Sequence, residues 1–148
     1  MTPALQKLIA QMDSNELHEW FARTVERATA RLDEPDPYLF EVVAALRRQT
    51  VTSDMVQEAR GLMGDGIVAD VEGCAVRAAQ GAVAESSGQQ SEAVHYAVDV
   101  SLAAVLAAMH QTGCPGETLQ STRASAMEEK RQEQDAEEIL RGVTGDWD

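Results

Sequence analysis

The chain has 148 residues, of which 44% are hydrophobic and only 4% aromatic, so a single globular domain spanning 1–148 is expected rather than a disordered chain. Alanine supplies much of the apolar content, β-branched residues do not alternate at a period of two, and four prolines are too few for a turn-rich β fold, so the composition predicts an all-α fold. The net charge of −13 disfavours nucleic acid and anionic membranes as partners, because both carry phosphate charge.

The first third of the chain carries clear start signals for helices. Pro3 fits the first turn of a short helix, and Asp13 followed by Glu16 matches a looser form of the capping box at the start of the next. Asp36 fits the cap of a third helix, with Pro37 at its first position. A fourth short helix is expected after a brief connection at 50–53.

The second helix, which runs to about Leu32, is predicted to be amphipathic. Its apolar stripe includes Trp20 and Phe21 and faces the core. The opposite face is predicted to be solvent-exposed and to carry Arg23, Glu26, Arg27 and Arg31.

A helix over about 67–85 is rich in small residues. Gly73 and Gly81 each lower helix propensity by roughly 1 kcal/mol relative to alanine. We expect close contact with a neighbouring helix to offset that loss. A short loop at 86–90 then suggests an antiparallel hairpin with the helix that follows.

The helix over about 91–111 is the most apolar segment of the chain. From Val100 to Met109 it contains nine apolar residues and one serine, and no charged residue. It falls short of the ~20 apolar residues that a bilayer crossing needs. We therefore expect a bundle of six or seven helices around this buried central helix, with Leu102 and Leu106 in the core.

The strongest candidate for chemistry lies at the start of that helix. Glu92 and His95 have the Glu-x-x-His spacing that di-iron helical bundles use twice, and Asp99 extends the same face. No second such pair exists, so no metal or cofactor is expected, and the three residues remain a candidate polar cluster. Cys74 and Cys114 lie forty residues apart without a disulfide or metal pattern. No motif indicates an enzyme.

The last predicted helix, at about 117–141, differs in composition from the others. Residues 117–148 hold nine acidic residues against four basic ones, a net charge of −5, and end in a short tail at 142–148. The run from 128 to 135 has no apolar side chain, so it is predicted to be either a solvated face or a surface for a basic partner. The candidate partner-binding residues are Glu128, Glu129, Glu133, Asp135 and Glu137.

The succession of helices from 17 to 111 resembles the small, alanine-rich, helical immunity proteins of bacterial polymorphic toxin systems. The segments that carry the resemblance are Leu17–Ala22, Ala44–Arg48, Glu58–Arg60, Ala75–Ala84 and His95–Ala97. The resemblance implies a cytoplasmic protein that binds and blocks a cognate toxin without catalysis. The absence of signal-peptide features at the N-terminus also favours the cytoplasm.

Two functions from different classes therefore remain open ahead of a third option, an enzyme. The first is a binding protein that captures a basic toxin domain, since opposite charge accelerates association. The alternative is a structural or regulatory module that self-associates through an apolar face, for example as a homodimer. Ionic strength distinguishes them, because salt weakens charge-steered binding and leaves apolar self-association largely unchanged.

Overall fold

The computed structural model describes residues 1–113 and 119–142, and those residues form seven α-helices and no β-strand. The all-α fold is thereby confirmed. The helices in chain order are α1 (Pro3–Ala10), α2 (Ser14–Thr29), α3 (Pro37–Arg48), α4 (Ser53–Arg60), α5 (Ile67–Ser86), α6 (Gln90–Gln111) and α7 (Leu119–Leu140).

The helix starts follow the local signals in the sequence. Asp13 and Glu16 form the full capping box, in which each side chain accepts a hydrogen bond from the backbone N–H of the other residue, at 2.8 and 2.9 Å. Thr2 caps α1 through its hydroxyl, and Asp36 caps α3 directly before Pro37. These starts depend on neighbours within three residues, which is why they are legible in the chain itself.

The most enclosed helix is α2. It contacts α3, α5, α6 and α7, and Leu17, Trp20 and Phe21 on it are fully buried. The two aromatic rings lie 5.9 Å apart at a tilted angle of 56°. Large side chains on α2 therefore fill the space that the alanine-rich helices leave between them.

The predicted hairpin of α5 and α6 is the most extensive helix pair in the structure. Alanines from both helices meet at their interface, so the two backbones lie close together. At Gly81 an added Cβ would lie 2.7 Å from Cζ of Phe21 and 3.1 Å from Cβ of Tyr96, which confirms the close contact expected there. At Gly73 no atom lies within 4 Å of that position, so the expectation of a close contact is wrong for this glycine.

Helix α6 packs against α5, α7 and α2, as expected for a central helix. It is buried on one side only, however, and the expectation that Leu102 and Leu106 lie in the core is wrong: their exposed fractions are 54% and 37%. Alanines such as Ala97 and Ala104 form the buried side instead, because α5 approaches too closely for leucine. Within the described residues α6 alone is long and apolar enough to cross a membrane. Its packing in the bundle is consistent with a soluble protein.

Two sequence-based expectations fall on residues outside the described ranges. After α6 the structure describes Thr112 and Gly113, where the chain turns and Gly113 adopts a φ of 75°. Cys114 and the tail from 143, including Trp147, lie outside. Cys74, by contrast, is fully buried on α5, as expected for a small core residue.

Candidate functional site

The interface between α2 and α7 is held by a network of ion pairs. Arg27 donates to both carboxylate oxygens of Glu128, with Nε–Oε1 and Nη2–Oε2 distances of 2.9 and 2.7 Å. Its Nη1 lies 2.6 Å from Oδ2 of Asp135. Arg31 Nη2 lies 3.0 Å from Oε1 of Glu128, and Arg23 Nη1 lies 3.7 Å from Oδ1 of Asp135. Arg23 and Arg27 on α2, and Arg31 just beyond its end, thus meet two carboxylates on α7.

The geometry of this network perturbs both members of its central pair. Burial alone would raise the pKa of Glu128, but hydrogen bonds and charge from Arg27, with further bonds from Gln132 and Arg31, hold it below its ordinary value. Burial alone would lower the pKa of Arg27, and the paired carboxylates of Glu128 and Asp135 raise it instead. Both side chains are therefore held in their charged forms.

Gln132 links this network to the core. Its side-chain amide accepts from the Ser101 hydroxyl at 2.6 Å and donates to the Ser101 carbonyl at 3.2 Å. The same amide donates to Glu128 at 2.9 Å, and the Gln132 backbone carbonyl accepts from the Trp20 indole N–H at 3.2 Å. One fully buried glutamine thus joins α7 to α6 and α2.

These contacts correct the interpretation of Glu128 and Asp135 as partner-binding residues. Both are buried and paired inside the chain, with exposed fractions of 2% and 1%, so neither is available to a partner. The prediction that Arg23, Arg27 and Arg31 form a solvent-exposed face is wrong for the same reason. Arg23 is buried, and the other two are half-buried against α7.

The other three candidate residues of α7 differ in exposure. Glu129 and Glu133 are half-buried, and Glu133 accepts a hydrogen bond from the hydroxyl of Thr2, the residue that caps α1. Glu137 alone among the five is fully exposed. The structure therefore does not bring the five acids together on one outer stripe.

The outer face of α7 is basic rather than acidic. All four basic residues of this helix region are exposed, namely Arg123, Lys130, Arg131 and Arg141. Most of the acidic residues of α7 instead face α1 and α2, where they form hydrogen bonds or ion pairs. The inner face of the last helix is thus acidic and its outer face basic, although the net charge of the helix is negative.

The candidate polar cluster of Glu92, His95 and Asp99 lies on the exposed side of α6. All three are exposed, and no hydrogen bond or ion pair joins them. Glu92 lines a small cavity of about 250 Å³ between α4, α5 and α6, beside Arg60 and Tyr96. In the part of the chain that the structure describes, no group of three histidine, cysteine or acidic residues has a metal-binding arrangement.

An imidazole–carboxylate pair that sequence reasoning missed joins α5 to α6. His110 Nδ1 contacts a carboxylate oxygen of Asp70 at the end of the hairpin where α5 begins and α6 ends. The two residues are forty positions apart in the sequence, so no local spacing predicts their contact. The pair fastens the open end of the helix hairpin, and it carries no further ligand-binding group.

A group of exposed acidic residues lies on and directly before α3 and on α4. We define the acidic patch as Asp36, Tyr38, Phe40, Glu41 and Glu58. Burial, followed by the nearby charges of Glu58 and Glu41, raises the pKa of the Tyr38 phenol. Phe40, two residues after Tyr38 on the same helix, is 54% exposed, and Asp36 accepts from the Tyr38 backbone N–H at 2.9 Å. The surface formed by α3 and α4 thus combines aromatic side chains with carboxylates.

The class of this chain is defined by its fold and surfaces rather than by its similarity to known proteins. No family model, no curated protein and no solved structure matches it. The described residues define an all-helical domain with an internal ion-pair network, an exposed acidic patch and an exposed apolar helix face.

Proposed function

We propose that this chain is a non-catalytic binding protein that captures a basic protein partner through the acidic patch. The observation that carries the proposal is the Tyr38 phenol close to the carboxylates of Glu58 and Glu41, on the helix that also bears the exposed Phe40 ring. Aromatic anchors within a polar rim are typical of the energetic centre of protein interfaces. We further propose that the partner is a bacterial toxin domain and that the chain acts as its cytoplasmic immunity protein.

Electrostatics supports a basic partner. A chain with net charge −13 attracts cationic proteins at long range, and complementary fields raise association rates above the neutral ~10⁵–10⁶ M⁻¹s⁻¹. Within the described residues of α7, in contrast, only Glu137 among the candidate acids is fully exposed, and the outer face carries four basic residues. The acidic patch therefore replaces α7 as the proposed contact surface.

The test begins with capture from a lysate of the native host on the immobilised full chain. A captured protein supports the proposal only if it is basic, arrests growth when expressed alone, and is neutralised by co-expression of this chain. Phe40→Ala and the double variant Glu41→Lys/Glu58→Lys should each weaken binding at least about tenfold, since central interface residues contribute about 1.4 kcal/mol or more.

The matched control is the double variant Glu92→Lys/Glu137→Lys, which makes the same change in net charge at exposed positions outside the patch. It should slow association modestly and leave dissociation unchanged, because remote charges act on steering alone. An equal loss of affinity in both double variants would refute the acidic patch as the contact surface. A captured protein that is acidic, or harmless to cells, would refute the proposed function itself.

A second candidate function, self-association, is favoured by the exposed face of α6. Val98, Leu102, Val105, Leu106 and Met109 follow one stripe of that helix and are exposed or half-buried. Asp99 is the only formally charged residue of the sequence between Ala93 and Met109. A second copy fits this stripe because two chains of net charge −13 repel each other, and an uncharged contact surface adds no further repulsion. An antiparallel two-fold contact would place Leu102 of each copy against Leu106 of the other.

Sedimentation equilibrium distinguishes this candidate from the first. A homodimer on α6 should persist at high salt and dissociate on Leu102→Glu. Met63→Glu, at a residue 91% exposed outside that face, is the control and should leave the dimer intact. A chain that stays monomeric at all concentrations would exclude self-association and leave the capture of a basic partner unaffected.

A further inference from the structure

A groove between α2 and α7 has a charge opposite to that of the whole chain. It has a volume of about 450 Å³, within the range of small-molecule sites. The residues that line it and matter here are Arg27, Arg31, Met127, Glu128, Lys130 and Arg131. We propose that this groove binds the phosphate group of a small molecule, independently of any protein partner on the acidic patch.

The first argument is charge balance. Among the described residues, four cationic side chains line the groove, and Glu128 is the one carboxylate in its lining. Asp135, which pairs with Arg27 and with Arg131, brings the second negative charge. Four positive charges against two negative ones give a local net charge of +2, within a chain of net charge −13. Such a concentration of positive charge attracts an anion.

The second argument is that several donors at the groove have unused capacity. Lys130 is exposed and makes no hydrogen bond or ion pair in the described part of the chain. Arg131 makes one long contact, from Nε to Asp135 at 3.6 Å, and its side chain is 55% exposed. The Nε–H of Arg31 is buried and has no acceptor within the described structure. A buried donor without an acceptor is rare in native proteins.

The third argument selects the ligand. A phosphate monoester carries about −1.5 to −2 at pH 7, which matches the local excess of two positive charges. A carboxylate carries half of that charge or a little more. Polyanions such as nucleic acids are disfavoured because the remainder of the chain is strongly negative. Met127, 72% exposed at the same groove, offers apolar contact to the organic part of a small ligand.

The test is titration with inorganic phosphate at low ionic strength and neutral pH, followed by calorimetry and by NMR of methionine methyl groups. We expect saturable 1:1 binding and a chemical-shift change at Met127 but not at Met63. The double variant Lys130→Gln/Arg131→Gln should bind at least about tenfold more weakly, since it removes two charge-assisted hydrogen bonds. Thermal unfolding should confirm that the variant is folded.

The matched control is Arg123→Gln/Arg141→Gln, which removes the same charge at exposed residues on α7 and directly after it that do not line the groove. It should keep its phosphate affinity within about twofold, because distant exposed charges are largely screened. Equal losses in the two double variants would show that net charge alone attracts the anion, and would overturn the proposal. Absence of saturation, or binding of acetate as tight as that of phosphate, would also overturn it.

Discussion

Glu128 accepts hydrogen bonds from Nε and Nη2 on one edge of the Arg27 guanidinium, across the interface between α7 and α2. The Glu128 side chain is only 1% exposed, so this bidentate pair lies in the interior of the protein. A helix whose sequence from 128 to 135 has no apolar residue is thus attached partly by paired charges. Such a pair favours one docking position of α7, because both charges must find their partners together.

Glu128→Gln should destabilise the protein by about 3–5 kcal/mol, the usual loss when one member of a buried ion pair is removed. The variant leaves the guanidinium groups of Arg27 and Arg31 without their shared carboxylate. Urea unfolding measures the change at pH 7. Glu137→Gln, at an exposed carboxylate of the same helix, should stay within about 0.5 kcal/mol of the parent.

The pH dependence of unfolding checks the same pair independently. The folded-state pKa of Glu128 lies below its ordinary value of 4.5, so the stability it contributes is present above that value and is lost as pH falls through the folded pKa. The parent should therefore lose more stability than Glu128→Gln as pH falls below about 4.5. Parallel pH profiles for parent and variant would contradict the assignment.

Glu72 on α5 should show the opposite dependence on pH. Burial, aided by the negative charge of Asp36, raises the pKa of Glu72 above 4.5, although its carboxylate accepts from the Gly64 backbone N–H at 2.8 Å. Its favourable contribution is therefore present at acid pH and is lost as pH rises through the folded pKa. Glu72→Gln keeps an acceptor for Gly64, so it should stabilise the protein at pH 7 and lose this advantage below about pH 4. A destabilised variant at pH 7 would contradict this account.

The sequence predicted the helices well because their signals are local. The capping box at Asp13 and Glu16 and the Asp36–Pro37 start each involve residues within one turn. The orientation of α7 could not be predicted, because the partners of Glu128 and Asp135 lie on α2, about a hundred residues earlier. A run of charged residues on a helix is interpreted as a solvated face unless arginines that pair with it are known to lie on the neighbouring helix.

The burial of α6 was misjudged for a different physical reason. A helix that is apolar almost all round has no clear periodicity, so its sequence does not indicate which side faces the core. Leu102 and Leu106 were expected in the core because they are larger than the alanines around them. The close approach of α5, which Gly81 permits, instead selects alanines for the interface and leaves the leucines outside.

Leu102→Ala should therefore cost less than about 1 kcal/mol, because half of the side chain is already in water. Leu17→Ala, the same truncation at a fully buried position of α2, should cost about 2–5 kcal/mol. Urea unfolding of both variants measures the difference, under dilute conditions that exclude self-association. Similar losses at the two positions would show that Leu102 is buried in solution.

The two glycines of α5 provide a matched pair. Gly81→Ala should destabilise the protein by about 1–3 kcal/mol, since the new methyl group would overlap the buried ring of Phe21. Gly73→Ala meets no atom within 4 Å and should gain up to about 1 kcal/mol of helix propensity. Thermal unfolding of both variants tests this. A gain at Gly81 would mean that α5 and α2 lie farther apart than the structure shows.

Cys74 should be inert to thiol reagents in the folded protein. It is fully buried between α5 and α6, with Sγ 3.7 Å from the carbonyl oxygen of Val100, and burial raises its pKa to about 12. At pH 8 roughly one thiol in ten thousand would be ionised, and the thiolate is the reactive form.

In a Cys114→Ser variant Cys74 is the only thiol of the chain, so its labelling by an aromatic disulfide reagent should occur only as fast as the protein opens. Adding urea below the unfolding midpoint should accelerate labelling in step with the fall in unfolding free energy. Rapid labelling without denaturant, in a variant of unchanged stability, would show that the α5–α6 interface admits solvent at this position.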